Sequence, residues 1–140
     1  FVRKKKVKKN MYGYLVESKY TKNGSRQKVK KYLGRIFEVE NAFEEFNNET
    51  YSGLLREFFD SLNLPLGVCL DYNCGDILFK GNNCVLQIRD GFVYSDLMKR
   101  LFKLTKKEED IPGHELAELL SSTGMIFSEE FFVKLYQLLE

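Results

Sequence analysis

Thirteen of the first 35 residues are Lys or Arg, and Glu17 is the only acid among them. Ammonium and guanidinium groups at this density suit one task above others. They neutralise the oxygens of a polyanion and release its counterions. Lys4, Lys5, Lys6, Lys8 and Lys9 form a run near the start, and Lys19, Arg26, Lys28 and Lys30 follow, with Gln27 and Tyr32 among them. The cations would meet phosphates. Arg26 or Gln27 near a turn would reach base edges in a major groove, and Tyr32 would stack on an unpaired base. The other 105 residues reverse the balance, with 9 basic residues against 19 acids, so the net +2 combines +12 and −10. A split this sharp points to an interaction surface for nucleic acid or an anionic membrane. Membrane ranks lower, because no basic amphipathic helix accompanies the charge. The plain alternative is a solvated face, or one neutralised by the chain's own acidic part.

These side chains act together only if a rigid element spaces them. Tyr12 to Thr21 is rich in aromatic and β-branched residues, Asn23-Gly24 offers the two positive-φ positions of a type I′ turn, and Arg26 to Leu33 returns. That loop would set Tyr20 opposite Gln27, Ser18 opposite Val29, Val16 opposite Lys31 and Tyr14 opposite Leu33. One face would then carry Tyr12, Tyr14, Val16, Tyr20, Val29 and Leu33. The other would carry Glu17, Lys19, Arg26, Lys28, Lys30 and Tyr32. Two residues spoil the sorting: Lys31 falls on the apolar face and Leu15 on the cationic one. Residues 2–9 suit either a third strand or a flexible arm.

Beyond Gly34 the pattern changes, and the composition boundary lies near Gly34 to Glu38. Ala42 to Phe46 reads as a short helix. Tyr51 to Leu62 reads as a longer one, with Leu54, Leu55, Phe58, Phe59 and Leu62 on its buried stripe. Gly67 to Tyr72, Asp76 to Phe79 and Cys84 to Ile88 read as a three-stranded antiparallel meander, with turns at Gly81-Asn82-Asn83 and Asp90-Gly91. Ser95 reads as the N-cap of a helix through Leu104, and Pro112 or Gly113 opens another to about Ser122. Ser128 caps a last helix, where Phe127 and Phe132 are spaced as a hydrophobic staple. The expected fold class is α+β. An N-terminal antiparallel basic β-hairpin module over 1–35 (three-stranded if residues 2–9 pair) precedes an acidic domain over 36–140 of two helices, a meander and three helices.

Other candidate chemistry has an ordinary reading beside it. Asp71, Asp76, Asp90 and Asp96 surround the meander and could hold Mg²⁺ in a divergent nuclease, yet Asp at such turns is standard turn chemistry. Cys69, Cys74 and Cys84 lack metal-ligand spacing and read as small buried hydrophobes. His114 has no partner fixed by spacing. Glu44-Glu45 and Glu108-Glu109-Asp110 read as solvated ends. The aromatic excess of Phe127, Phe131, Phe132 and Tyr136 would serve the core or a homodimer face. No phosphate loop, nucleophile elbow or metalloprotease motif is present. No apolar run is long enough to span a bilayer, no signal-type apolar segment follows the basic start, and the free cysteines suit a cytoplasmic setting.

The stretch Tyr12 to Ser18, followed by Asn23 to Gly34 with its Arg26-Gln27-Lys28-Val29 and Lys31-Tyr32-Leu33-Gly34 segments, resembles the N-terminal element of prokaryotic transposases of the IS4/IS1634 type. The likeness covers residues 3–35. It implies DNA end-binding for the hairpin. It does not carry strand transfer, because the 105 residues after Arg35 are too short and differently patterned for the RNase H-like domain of such enzymes.

The expectation is therefore a small non-catalytic nucleic-acid-binding protein, with DNA favoured over RNA, and with no cofactor, metal or small-molecule substrate. One alternative is a protein-interaction or self-association module that sets the basic ribbon against an acidic surface. Another is a divergent metal-dependent nuclease or transposase-derived remnant.

Overall fold

The computed structural model describes residues 1–40, 46–105, 113–121 and 127–139. Its fold is α+β. In chain order the strands are β1 (Val2–Val7), β2 (Asn10–Thr21), β3 (Gly24–Val39), β4 (Val68–Asp71), β5 (Asp76–Phe79), β6 (Asn82–Ile88) and β7 (Gly91–Val93). The helices are α1 (Tyr51–Asp60), after β3, and then α2 (Ser95–Lys103), α3 (His114–Ser121) and α4 (Glu129–Leu138). The strands make one sheet in the order β1-β2-β3-β6-β5-β4, with β7 on β6.

Of residues 2–9, Val2–Val7 form the third strand, since β1 pairs antiparallel with β2 from Val2 opposite Leu15 to Val7 opposite Asn10. Strand β3 then runs on past residue 35 and pairs in parallel with β6, from Arg35 beside Cys84 to Val39 beside Ile88. The basic stretch and the meander thus share one sheet. The charge boundary at residue 35 lies inside a strand.

The β2–β3 turn differs from the expected type. Thr21 pairs with Gly24 around a Lys22-Asn23 loop. Only Gly24 among these turn residues has positive φ, at 107°. A two-residue turn without positive φ, followed by a positive-φ glycine, uses the same Asn-Gly dipeptide as the type I′ turn but places the glycine in the strand rather than in the loop. Near the tip the register is therefore two residues from the expected one: Val16 faces Val29, Glu17 faces Lys28 and Lys19 faces Arg26. Two one-residue bulges in β3, at Lys30 and Leu33, then bring Gly13 opposite Gly34. Gly34 holds the second bulge, with φ at 115° and no room for a Cβ against the Asn83 carbonyl. A two-residue offset leaves every side chain on its expected face, whereas a single bulge exchanges the faces. Between the two bulges Tyr32 moves to the Tyr14 side and Lys31 to the Leu15 side.

Further on, the I′-like pair of positive-φ residues is Lys80 and Gly81, one position before the turn expected there. The Asp90-Gly91 turn proves to be Arg89-Asp90, and Gly91 opens β7, a strand the sequence pattern did not mark. Helix α1 ends two residues earlier than expected, and its Thr50 cap accepts from the Gly53 N–H. Ser95 is not an N-cap. It begins α2, and its hydroxyl accepts from the Ile77 N–H at 3.0 Å and donates to Asn83 Oδ1 at 3.3 Å, tying the helix to the sheet. Ser128 does cap α4. The expected helix at Ala42 to Phe46 and the opening of α3 at Pro112 fall on residues outside those described, Phe46 apart.

The main core gathers Leu54, Phe58 and Phe59 of α1, Leu97 and Met98 of α2, Leu116 of α3 and Leu135 of α4 over Ile77, Cys84 and Leu86. Phe127 and Phe131 lie 4.9 and 5.6 Å from the Phe58 ring, so these rings of the C-terminal aromatic stripe close over α1. Phe127 meets Phe131 at 4.8 Å across the cap. A smaller cluster of Leu33, Ile36 and Val85, with Met11, Leu15 and Val2, anchors the N-terminal strands. Among the described residues no helix is long and apolar enough to cross a membrane.

Candidate nucleic-acid interface

Alternation along β1, β2 and β3 sorts the basic segment into two faces. Lys4 and Lys6 stand opposite Gly13 and Met11, on the same side of β2 as Leu15, Glu17 and Lys19. Across β2, Lys19 faces Arg26, Glu17 faces Lys28 and Leu15 faces Lys31. This face is apolar at its base, where Met11 and Leu15 join Ile36, and cationic towards the turn. Every residue from 18 to 32 is exposed, so the outer part of the ribbon meets solvent on both faces.

Few of these charges are compensated inside the chain. Lys30 Nζ lies 3.5 Å from Glu17 Oε2, and Lys31 Nζ lies 2.9 Å from Asp96 Oδ2. Lys4 Nζ donates to Gln87 Oε1 at 3.5 Å. Lys19, Arg26 and Lys28 have no ion-pair partner among the described residues. Lys8 and Lys9 form the β1–β2 turn. The expected phosphate contacts are thus split: Lys4, Lys6, Lys19, Arg26 and Lys28 share one face, and Lys5, opposite Tyr12, lies on the other. Gln27 pairs with Ser18, on the side away from Arg26 and Lys28.

Tyr32 was expected on the cationic face and is not there. Its ring lies 5.2 Å from Tyr14 and 6.4 Å from Tyr12. The cause is the bulge at Lys30, which a local pattern does not reveal. Partial burial, and then the neighbouring Tyr14 and Tyr12 hydroxyls, push the Tyr32 phenol above its ordinary value and keep it neutral. Tyr32 also borders a cleft between β3 and α2, where the pairs Lys31–Asp96 and Lys99–Asp76 cancel the charge.

The carboxylates around the meander have separate structural tasks. Asp71 Oδ1 accepts from the Asn73 and Cys74 N–H groups at 3.0 and 3.2 Å. Asp76 pairs with Lys99 at 3.0 Å, and Asp96 with Lys31. Asp90 sits in the β6–β7 turn. Among the described residues no three His, Cys, Asp or Glu side chains gather as a metal site. His114 Nε2 lies 3.1 Å from Glu118 Oε1 on the same helix. Of the cysteines only Cys84 is buried. Cys69 and Cys74 are exposed, so two of the three depart from the expected role in the core.

Comparison of the chain with family models, with curated proteins and with solved structures returns no match.

Proposed function

We propose that β1–β3 is a nucleic-acid contact surface, with DNA the favoured ligand, and that the chain is a non-catalytic binding protein. The observation that carries this reading is uncompensated charge on a rigid element. Of the 13 cations in residues 1–35, only Lys30 and Lys31 are ion-paired among the described residues. Alternate residues on one strand face recur at about 6.7 Å, so Arg26 and Lys28 meet neighbouring phosphates without the cost of ordering a flexible tail. The resemblance of residues 3–35 to a transposase end-binding element agrees with this reading from an independent direction. Fluorescence anisotropy of labelled DNA and RNA across a salt series tests it. Binding whose logarithm falls linearly with log salt supports a multi-phosphate contact. Absence of binding at low salt removes the proposal. The basic ribbon would then be a dock for an acidic protein surface, and charge reversal at Arg26 and Lys28 would change the mass in solution.

A further inference from the structure

Two cross-strand rows run side by side over β1, β2 and β3. In the first, Arg3 stands opposite Tyr14, and Tyr14 opposite Tyr32. In the second, Lys5 stands opposite Tyr12, and Tyr12 opposite Arg35. Directly opposed residues share a face, and so do residues two apart on a strand. The bulge at Leu33 places Tyr32 and Arg35, three apart in sequence, on that same face. The result is a patch of three phenol rings bordered by Arg3 and Lys5 on one side and by Arg35 on the other. The Arg35 guanidinium is held 4.7 Å over the Phe37 ring and 5.4 Å over the Phe79 ring.

The two apolar clusters do not account for these rings. None of Tyr12, Tyr14 and Tyr32 belongs to either apolar cluster, and the cluster that anchors β2 uses Met11 and Leu15 on its opposite face. Tyr32 is 53% exposed. Among the described residues their hydroxyls make no hydrogen bond. Further along this face Val16 is buried and Val29 is 54% exposed, and Tyr20, 93% exposed, stands nearer the turn beyond the polar pair Ser18–Gln27.

We infer that this face binds single-stranded nucleic acid, with unpaired bases stacked on Tyr12, Tyr14 and Tyr32 and the backbone held by Arg3, Lys5 and Arg35. The inference rests on the proposed nucleic-acid contact and assigns its second face. Flat rings in a basic field accept any base, because every base offers a π face. A duplex keeps its base faces stacked inside and presents phosphates and base edges, neither of which stacks on a ring. Occupant and site are matched by charge, since the segment that carries the patch has 13 cations and one acid.

The test compares labelled oligothymidylate, oligouridylate and an oligo(dA)·oligo(dT) duplex on the wild-type chain and on Tyr14→Ala/Tyr32→Ala and Tyr14→Phe/Tyr32→Phe. The expected result is tighter binding of single strands than of duplex. The Ala pair should lose at least about tenfold in single-strand affinity, the Phe pair should keep it, and duplex affinity should hardly change. The chain has 8 Tyr and no Trp, so quenching of its intrinsic fluorescence by oligothymidylate reads the stacking directly. The thymidylate and uridylate arms separate DNA from RNA. Far-UV circular dichroism checks that the variants fold. Duplex bound as tightly as single strands, or single-strand affinity kept by the Ala pair, overturns the stacking face and leaves the basic ribbon standing. Absence of binding to any of the three overturns both.

Discussion

Gly34 lies against the carbonyl of Asn83, where β3 leaves its second bulge and enters parallel register with β6. The contact joins the basic three-stranded segment to the rest of the sheet, and it constrains Gly34 twice. Its φ of 115° is a conformation L-residues rarely adopt, and a Cβ would collide with backbone that cannot swing aside. Gly34→Ala should therefore cost about 2–4 kcal/mol, combining left-handed strain with overpacking. Urea unfolding followed by circular dichroism measures it. A loss under about 1 kcal/mol would mean that the bulge relaxes.

Charge reversal on the exposed ribbon should weaken nucleic-acid binding and leave the fold intact. Arg26 and Lys28 are exposed, lack ion-pair partners among the described residues and lie outside both apolar clusters. Arg26→Glu/Lys28→Glu should reduce the slope of log affinity against log salt by about two units. The midpoint of unfolding should stay within about 0.5 kcal/mol of wild type. An unchanged slope would place the contact elsewhere.

The three thiols should separate by accessibility. Cys69 and Cys74 are exposed and Cys84 is buried, so a thiol reagent should label two sites in the native chain and the third only on unfolding. Cys74 should be the sluggish member of the exposed pair for its degree of exposure. The Asp71 carboxylate beside it, through its charge and then a hydrogen bond, raises the thiol above its ordinary value and depletes the reactive thiolate. Asp71→Asn should accelerate labelling at Cys74. Mass spectrometry of the labelled peptides assigns each rate.

Stability should fall on the alkaline side. Burial pushes the Cys84 thiol from 9.0 up to about 12, so the folded chain holds this proton more tightly than the unfolded one does. For a raised value, the contribution is complete below the unfolded value near 9 and is lost as pH rises towards 12. The loss is on the order of a few kcal/mol. Tyr51 is also raised by burial, and Tyr72 by burial and by its 2.6 Å hydrogen bond to Asp60, so both act in the same direction at still higher pH. Urea midpoints measured from neutral pH upward should be flat and then decline, and Cys84→Ala should flatten the early part of that decline. A decline that the variant leaves unchanged would assign it to other groups.

The α+β class, the strand character of Tyr12 to Leu33, the meander, the cap at Ser128 and the split of charge at residue 35 were all legible along the chain. Each depends on neighbours close in sequence: alternation, turn dipeptides, a hydroxyl before a helix, the local density of Lys. So was the grouping of Lys19, Arg26 and Lys28, because a two-residue register error preserves the face of every side chain. What tertiary structure alone decided was the partner of β3 and the position of the bulges. The parallel pairing with β6 joins residues about fifty positions apart, and neither strand carries a local mark of the other. The bulges answer to packing: they let Leu33 bury against Ile36 and Val85, and in doing so they move Tyr32 across the sheet to Tyr12 and Tyr14. A period of two makes one inserted residue enough to exchange the faces. The cations were therefore readable from the sequence, and the tyrosine patch required the fold.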